Sequence, residues 1–350
     1  MRVTVVSPAE LGPCEARRWA ELQEGSPGGQ SPFLSLAYAQ VVGRHRSLTR
    51  VAVVEEDGSI VAFLPYQLGA GRFGGTIGGP MTMVDGMVGG DPTIDLRGVV
   101  RMAGLRAWGF RHAPAEHEGL RPYRYGYSYH GHAVLSVDLG GGLEAYLAGR
   151  TSLDKRVRKQ GERMERQLGP VVLEWSSPSP EHLRLLFDWK VARVDPTRET
   201  LSAVAEQIVA DLLTTNDDEC EAMVSVLRAG DRVAAVNLYL RRHRRLSGWQ
   251  VAYNHELARF SPGMVLLMGL AHEAARRGFD WIDLGYGQDA FKQGLANASY
   301  GVTSGAVWAS RVEGAGRAAY RRLLYEPLMR RREERAATGR PTGGNDAVRP

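Results

Sequence analysis

Apolar residues recur along this chain with two periods, and the places where the period changes mark its elements. RVTVV reads as a short strand, and CEARRWAELQE after it has the spacing of an amphipathic helix. A Gly/Pro/Ser stretch, GSPGGQSP, leads to the helical LSLAYAQVVGRH. RVAVVEE and SIVAFLPYQLG lie on either side of Asp57-Gly58, the pattern of a β-hairpin. The glycine- and methionine-rich RFGGTIGGPMTMVDGMVGGDP precedes a predicted helix around IDLRGVVRMAGLRAWGF. A polar, aromatic segment from Pro114 to Tyr129 and the strand HAVLSVDL close this half.

From Gly140 the order begins again. GGLEAYLAG runs into the charged helix TSLDKRVRKQGERMERQLG and the strand VVLEWSS. Helices are predicted from EHLRLLFDW onward, after Pro180, and over LSAVAEQIVADLLTT. AMVSVLRAG and RVAAVNLYLRR form a second hairpin around Gly230-Asp231. The strand LSGWQVAYN, helix MVLLMGLAHEAARRG, strand DWIDLGYG, helix QDAFKQGLA and strand GVTSGAVWASR follow, and a basic helix, GAGRAAYRRLLYEPLMRRREERAA, comes last. Two halves with the same succession point to a duplicated α/β unit. The expected division is 1–148 and 149–335, with a disordered tail over 336–350 from the composition of TGRPTGGNDAVRP.

Composition narrows the class more than the function. The 350 residues are 43% hydrophobic, enough for sizeable cores. No apolar run of roughly 18 residues suggests a membrane span, and MRVTVVSPAE lacks the layout of a signal peptide. Cys14 and Cys220 stand alone, which suggests a reducing compartment, so a soluble cytoplasmic protein is expected. The net charge of +5 is carried by arginine and permits an anionic partner: a phosphate-bearing cofactor, RNA or a membrane surface.

The densest chemistry lies in DWIDLGYGQDAFKQG, residues 280–294. There an apolar strand enters a turn with Gly285 and Gly287, the acids Asp283 and Asp289, and Lys292. Upstream, Arg259-Phe260-Ser261-Pro262-Gly263-Met264 opens a helix. Ser261 suits an N-cap and Pro262 the first helical position, so the segment reads locally as an ordinary capped helix. The same end would offer unpaired N–H groups to an anion, with Gly263 allowing a phosphate to approach and Arg259 adding a bidentate contact.

The ordered motifs Ser261-Pro262-Gly263, Gly278-Phe279-Asp280, Asp283-Leu284-Gly285, Gly287 and Phe291-Lys292 resemble the CelD-like acetyltransferase family of the GNAT superfamily, over roughly residues 150–300. The structurally related FemABX aminoacyl-tRNA-dependent transferases carry two tandem GNAT-type domains, and the first half of this chain is similar in layout. The resemblance implies an α/β fold of two tandem GNAT-like domains, each a mixed, mainly antiparallel sheet with a splayed parallel strand pair flanked by helices. It implies acetyl-CoA or another acyl-CoA as co-substrate, lying in the splay with its pyrophosphate at the helix start, and no metal. Tyr253, Arg259, Ser261, Gly263 and Met264 then become candidate donor-binding residues.

The resemblance also sets out roles for the acid and the lysine. Asp283 would deprotonate an incoming ammonium, or else cap the turn or pair with an arginine. Lys292 would hold a phosphate or stabilise an oxyanion, or else be a solvated helix lysine. Phe291 stands where many GNAT enzymes place a tyrosine that protonates the leaving thiolate, which leaves Tyr286 or Lys292 for that step. Asn237, Trp189, Lys190, Gly285, Gly287, Asp289 and Asp85 are candidates for the acceptor side, with packing as their alternative.

Three functional readings follow. The first is an N-acyltransferase acting on a primary amine of a small molecule or sugar. The second is an aminoacyl-tRNA-dependent amide-forming transferase with tRNA as donor carrier. It is motivated by the single glycine here, where the superfamily's usual coenzyme-A loop is Arg/Gln-x-x-Gly-x-Gly/Ala. The third is a non-catalytic GNAT-like binding module. Elsewhere the signals are plainer. The charged helix over 151–166 and the run Arg330-Arg331-Arg332 read as solvated faces or as docking faces for an anionic partner, with few of the interleaved aromatics that RNA-binding surfaces use. GGTIGGPM lacks the ending of a P-loop. His130 and His132 share one strand face without a third metal ligand at suitable spacing. No Gly-x-Ser-x-Gly elbow exists.

Overall fold

The structure is a computed structural model and describes residues 1–26, 28–125, 133–191, 202–215, 218–287 and 289–326. The first half runs β1 (Arg2–Val6), α1 (Pro13–Glu24), α2 (Leu36–His45), β2 (Thr49–Glu56), β3 (Ser59–Gly69), β4 (Phe73–Gly75), β5 (Val88–Gly89), α3 (Leu96–Met102) and β6 (Ala107–Pro114). β7 (Ala133–Asp138), α4 (Gly142–Ala148) and α5 (Thr151–Leu168) lead into the second. That half holds β8 (Val171–Glu174), α6 (Pro180–Val191), α7 (Ala203–Thr214), β9 (Glu221–Ala229), β10 (Arg232–Arg242), β11 (Arg245–Tyr253), α8 (Pro262–Arg276), β12 (Trp281–Tyr286), α9 (Ala290–Leu295), β13 (Ala298–Trp308) and α10 (Arg311–Tyr320).

Each half therefore repeats one succession: two helices, a hairpin, a third strand, a helix, and a strand that returns parallel to the third. The hairpins close where the turn residues predict, β2–β3 over Asp57 and Gly58 with φ of 50° and 78°. Among the described residues, pairing is antiparallel except for two parallel contacts, β4 with β6 and β11 with β12. Each parallel contact spans only two or three residue pairs, because the strands then diverge. The fold is thus α/β, a mixed and mainly antiparallel sheet with two splayed parallel pairs and helices packed on it, as the sequence predicts.

The halves are joined by shared strands. β7 lies in the second half's sheet, between β12 and the N-terminal end of β13, where Ala298–Gly301 face Ala133–Ser136. The rest of β13 crosses into the first half's sheet and pairs β6 from Val302↔Pro114 to Trp308↔Ala107. They also share a core. Trp19, Phe33, Tyr38 and Val42 from α1, α2 and the loop between them pack in one cluster with Leu186 and Ile208 from α6 and α7 and with Trp249 from β11.

One predicted element is corrected. The helix expected to run through Phe110 stops at Met102, Gly104 takes a left-handed φ of 72°, and Ala107–Pro114 is a strand. Its pairing partner is β13, some 190 residues further along the chain, and that partner decides the conformation of a segment whose apolar residues also suit a helix. The closing basic helix ends its regular part at Tyr320 and makes one wider turn through Tyr325. The run Arg330-Arg331-Arg332, the pair His130 and His132, and the 336–350 tail lie outside the described residues. No described helix is long and apolar enough to cross a membrane.

A buried arginine adds a polar tie between the halves. Arg242, at the end of β10, is fully buried and donates to Glu24 on α1 and to Glu219, each at 2.6 Å. Burial alone would raise the Glu24 pKa, but the bond and charge of Arg242, with bonds from Gln30 and His243, together outweigh it and hold the carboxyl below its ordinary value of 4.5. A group lowered in this way stabilises the fold above its ordinary range and loses that contribution as pH falls through its folded value. The carboxylates are half-exposed, so the loss on Arg242→Met is expected at about 1–3 kcal/mol in urea unfolding. The variant should also lose the part of the acid sensitivity below pH ~4.5 that Glu24 supplies.

Candidate active site

The site is the opening between β11 and β12. Their parallel rungs run Arg245↔Trp281, Leu246↔Ile282 and Ser247↔Asp283, and there they stop. Two irregularities turn the strands apart. On β11, Leu238 of β10 faces Gln250 while Tyr239 faces Gly248, so Trp249 is an extra residue in the ladder. On β12, Asp283 faces Ser136 and Tyr286 faces Val134, so two residues of β12 oppose one of β7. Gly285, within that bulge, has φ of 76°, and Gly287 just beyond has φ of 96°, backbone that other residues adopt only under strain. Gly248 has no room for a side chain: a Cβ there would lie 2.6 Å from the Asp283 carbonyl oxygen.

Past Ser247 the outer edge of β11 faces no strand, and a pocket of about 630 Å³ fills the gap. The first turn of α8 closes one end, contributing Ser261, Gly263 and Met264. Ser261 is the N-cap, but its φ and ψ are both 51° and its side chain makes no capping bond. The local capped-helix expectation is therefore met in position and not in bonding. The first turn of α8 thus presents its positive end to the pocket without a side-chain cap. Tyr253 stands beside Gly263, its ring 3.6 Å from where a Cβ would be. Asn237 and Lys190 line the pocket from β10 and α6, and Met83 reaches it from the first half.

Asp283 sits at the apex, and both of its oxygens are occupied. Oδ1 accepts from Trp281 Nε1 at 2.6 Å and from Ser136 Oγ at 2.9 Å. Oδ2 accepts from Ser247 Oγ at 3.2 Å and Tyr300 OH at 3.4 Å. Burial raises its pKa, opposed by these donors and by Arg245. The alternative in which Asp283 caps the next turn or pairs directly with an arginine is not what forms. Its partners come from four strands.

Tyr286 follows on the same strand. Its ring stacks on His112 of the first half at 3.6 Å between centroids, and its hydroxyl is buried with no partner among the described residues. Burial, with Tyr300, Asp85 and Asp283 nearby, pushes its pKa well above the ordinary value, so it stays a neutral phenol. It lines both the large pocket and a small cavity on the other side of the apex, which Phe33, Val84 and Tyr300 also wall. Lys292 is not a solvated helix lysine. It is 12% exposed, donates to the Tyr286 carbonyl, and pairs with Asp289 at 3.3 Å. Burial lowers its pKa and Asp289 opposes that.

Eleven of the fifteen residues proposed from sequence line this pocket: Asp283, Lys292 and Tyr286; Tyr253, Ser261, Gly263 and Met264; Asn237, Lys190, Gly285 and Asp289. Four do not. Arg259 is exposed, bonds Gln167 and lies over the Phe260 ring. Trp189 packs against the shared core. Gly287 supports the turn behind Lys292. Asp85 is buried and accepts from the backbone N–H groups of Arg111 and His112, at 2.9 Å each, and from Thr76, so it fastens a first-half loop to β6 and does not meet the pocket. The partners of Asp283, namely Ser136, Ser247 and Tyr300, and the pocket residues Gly248 and Trp249 escape a sequence reading. Only Gly248, a glycine inside the strand LSGWQVAY, carried a signal of a bulge or close backbone approach. Among the described residues no cluster of three metal-ligating side chains exists.

Residues 151–293 match the family model of the acetyltransferase (GNAT) domain. No curated protein matches the chain by sequence. Among solved structures, FemX is similar at 11% identity over 87% of this chain and 97% of its own, with a TM-score of 0.57. A tandem GNAT protein from the clavulanic acid biosynthesis pathway is similar at 12% identity over 88% and 98%, TM-score 0.52. The C-terminal domain of an Agrobacterium fabrum protein described as a lysylphosphatidylglycerol synthetase is similar at 15% identity over 86% and 94%, TM-score 0.52. At these identities the likeness is one of fold. The chain takes the tandem GNAT fold, and its segment 151–293, which carries most of the lining of the splayed pocket, matches the GNAT acetyltransferase domain in sequence pattern.

Proposed function

We propose that this protein is a cytoplasmic N-acyltransferase of the CelD-like kind, moving an acyl group from acyl-CoA to a primary amine of a small molecule or sugar. The observation that supports it most is the parting of β11 from β12 over a pocket that has the uncapped start of α8 at one end. A donor's phosphates would meet the N–H group of Gly263 and the positive end of α8 there. Its thioester would lie along the unpaired edge of β11, whose N–H groups receive the carbonyl oxygen as it gains negative charge. The amine nitrogen attacks the carbonyl carbon and the C–S bond breaks. Tyr286, a neutral phenol at the apex, gives the departing thiolate its proton in place of the hydroxyl that Phe291 lacks. Asp283 takes the ammonium proton by giving up its longest bond, to Tyr300. Lys292 fixes the end of β12 and keeps positive charge at the pocket rim. The single glycine at the start of α8 favours a second reading, in which the same pocket takes the ester of an aminoacyl-tRNA.

Donor identity is tested by thermal unfolding. Coenzyme A should raise the melting temperature by several degrees at saturation. Gly263→Ala puts a methyl group at ordinary contact distance from Tyr253, so the fold stands, while donor affinity should fall roughly tenfold through one displaced phosphate contact. No shift with coenzyme A, together with salt-sensitive retention of charged tRNA, would establish the second reading.

Asp283→Asn separates chemistry from architecture. The amide oxygen can keep the bonds from Trp281 and Ser136, while its NH₂ donates to the Ser247 and Tyr300 hydroxyls, which accept as readily as they donate. The variant should fold, and its stability relative to the native chain should be greatest above the raised Asp283 pKa and shrink as pH falls toward 3.8, where the native carboxyl is neutral too. Its turnover should drop by about 10²–10⁴-fold. Unchanged turnover would leave Asp283 a purely structural tie. Asp283→Ala orphans all four donors and should cost about 3 kcal/mol or more.

A further inference from the structure

A second concave surface lies far along β13, between α10 and the sheet. It encloses about 390 Å³, and none of the residues lining it lines the splayed pocket. Five arginines line it: Arg97 from α3, Arg124, and Arg311, Arg317 and Arg321 from the closing helix. No acid does, among the described residues. The carboxylates nearest in the chain are already engaged, Glu313 by Arg106 and Glu326 by Arg321. Arg321 is thus partly neutralised, while Arg97 donates to the Trp308 carbonyl and Arg124 to the Ala115 and His117 carbonyls. Those two and the exposed Arg311 and Arg317 form no ion pair among the described residues, and four such charges around a concavity focus a positive potential.

Aromatic rings hold these cations in place. Arg97 lies over Tyr123 at 5.2 Å, Arg317 over Trp308 at 5.6 Å and Arg321 over Tyr125 at 3.7 Å. Stacking engages a guanidinium by its face; Arg97 gives an edge N–H to the Trp308 carbonyl and Arg321 faces Glu326, while Arg317 keeps its edge N–H groups, the ones that bind phosphate bidentately, without a hydrogen bond among the described residues. At the rim, Tyr320 offers a ring that is 56% exposed. α10 has no buried residue, so ordinary apolar docking does not account for this arrangement. Preorganised guanidiniums beside an open aromatic face suit a ligand with phosphate at one end and a planar base at the other.

We propose that the groove between α10 and β13 is a second ligand site, for a nucleoside phosphate. The ligand is either a free nucleotide or the end of a single strand, since both present the same chemistry and the volume admits about one nucleotide. The site does not depend on the acyl donor.

Isothermal titration calorimetry of the full chain with ADP, without coenzyme A because its own adenosine phosphate would compete for this groove, should show binding. Arg311→Ala with Arg317→Ala, both exposed helix positions, should weaken ADP by about tenfold or more, and Tyr320→Ala alone should weaken it too. Gly263→Ala should leave this affinity unchanged, which keeps failure here apart from failure of the donor assignment. A single-stranded RNA hexamer that binds more tightly than ADP, with a steep salt dependence, identifies the strand end as the ligand, and the reverse order identifies the free nucleotide. The proposal is overturned if ADP fails to bind, if inorganic phosphate binds as tightly as ADP, or if ADP affinity survives both the arginine and the Tyr320 substitutions.

Discussion

Asp283 ties four strands together at the point where β11 and β12 part. Its carboxylate takes bonds from Ser136 on β7, Ser247 on β11, Trp281 on β12 and Tyr300 on β13. A sheet that opens must do something with the polar groups it exposes, because unpaired buried donors cost free energy. Here an acceptor with two oxygens is placed at the apex and satisfies one side chain from each strand. The charge is costly to bury, and the network offsets that cost only while all its members are in place. The same geometry that holds the opening apart thus puts a carboxylate of raised pKa at the base of the pocket.

The first half is part of this arrangement. The bulge residue Trp249 is turned into the shared core, where its ring meets Phe33 edge-on at 5.6 Å. His112 of β6 stacks under Tyr286, and Met83 lines the pocket. The first half has its own diverging parallel pair, β4 and β6, but there the Asp85 carboxylate bonds the β6 backbone and closes the loop down. The two copies of one architecture have therefore diverged: one opening is held apart and empty of side chains, and the other is fastened by the chain itself. Strand exchange through β7 and β13 makes the pair one structural unit.

Charge follows the same division. Arginines on α5 and α8 lie largely on solvated faces or in pairs such as Arg276 with Glu273, and contribute little individually. Those around α10 differ because of what faces them. The closing helix reads from sequence as basic and short of interleaved aromatics. The rings it lacks come from Tyr123, Tyr125 and Trp308, far apart in the chain and brought together by the β6–β13 pairing.

Much of the fold was legible in local patterns. The two hairpins, the helices α5 and α8 and the strand–turn–helix over 280–294 follow from periodicity and turn chemistry, which act over a few residues. Most of the pocket was legible as well, because the residues that open α8 and end β12 lie in two short runs. The misplacements, Asp85, Trp189 and Arg259, are residues whose types suit chemistry and whose partners lie elsewhere in space. Conversely, Ser136, Ser247 and Tyr300 carry no signal at all: a serine or tyrosine on a strand looks the same whether or not a carboxylate faces it. The sequence alone determined most of the elements and their duplicated order, since these rest on the chain's own near neighbours. Only the tertiary structure decided that β6 is a strand, that the sheet opens at Asp283, and that arginines and rings meet beside α10. Each of those outcomes rests on pairing between segments distant in the chain, whose free energy no local stretch contains.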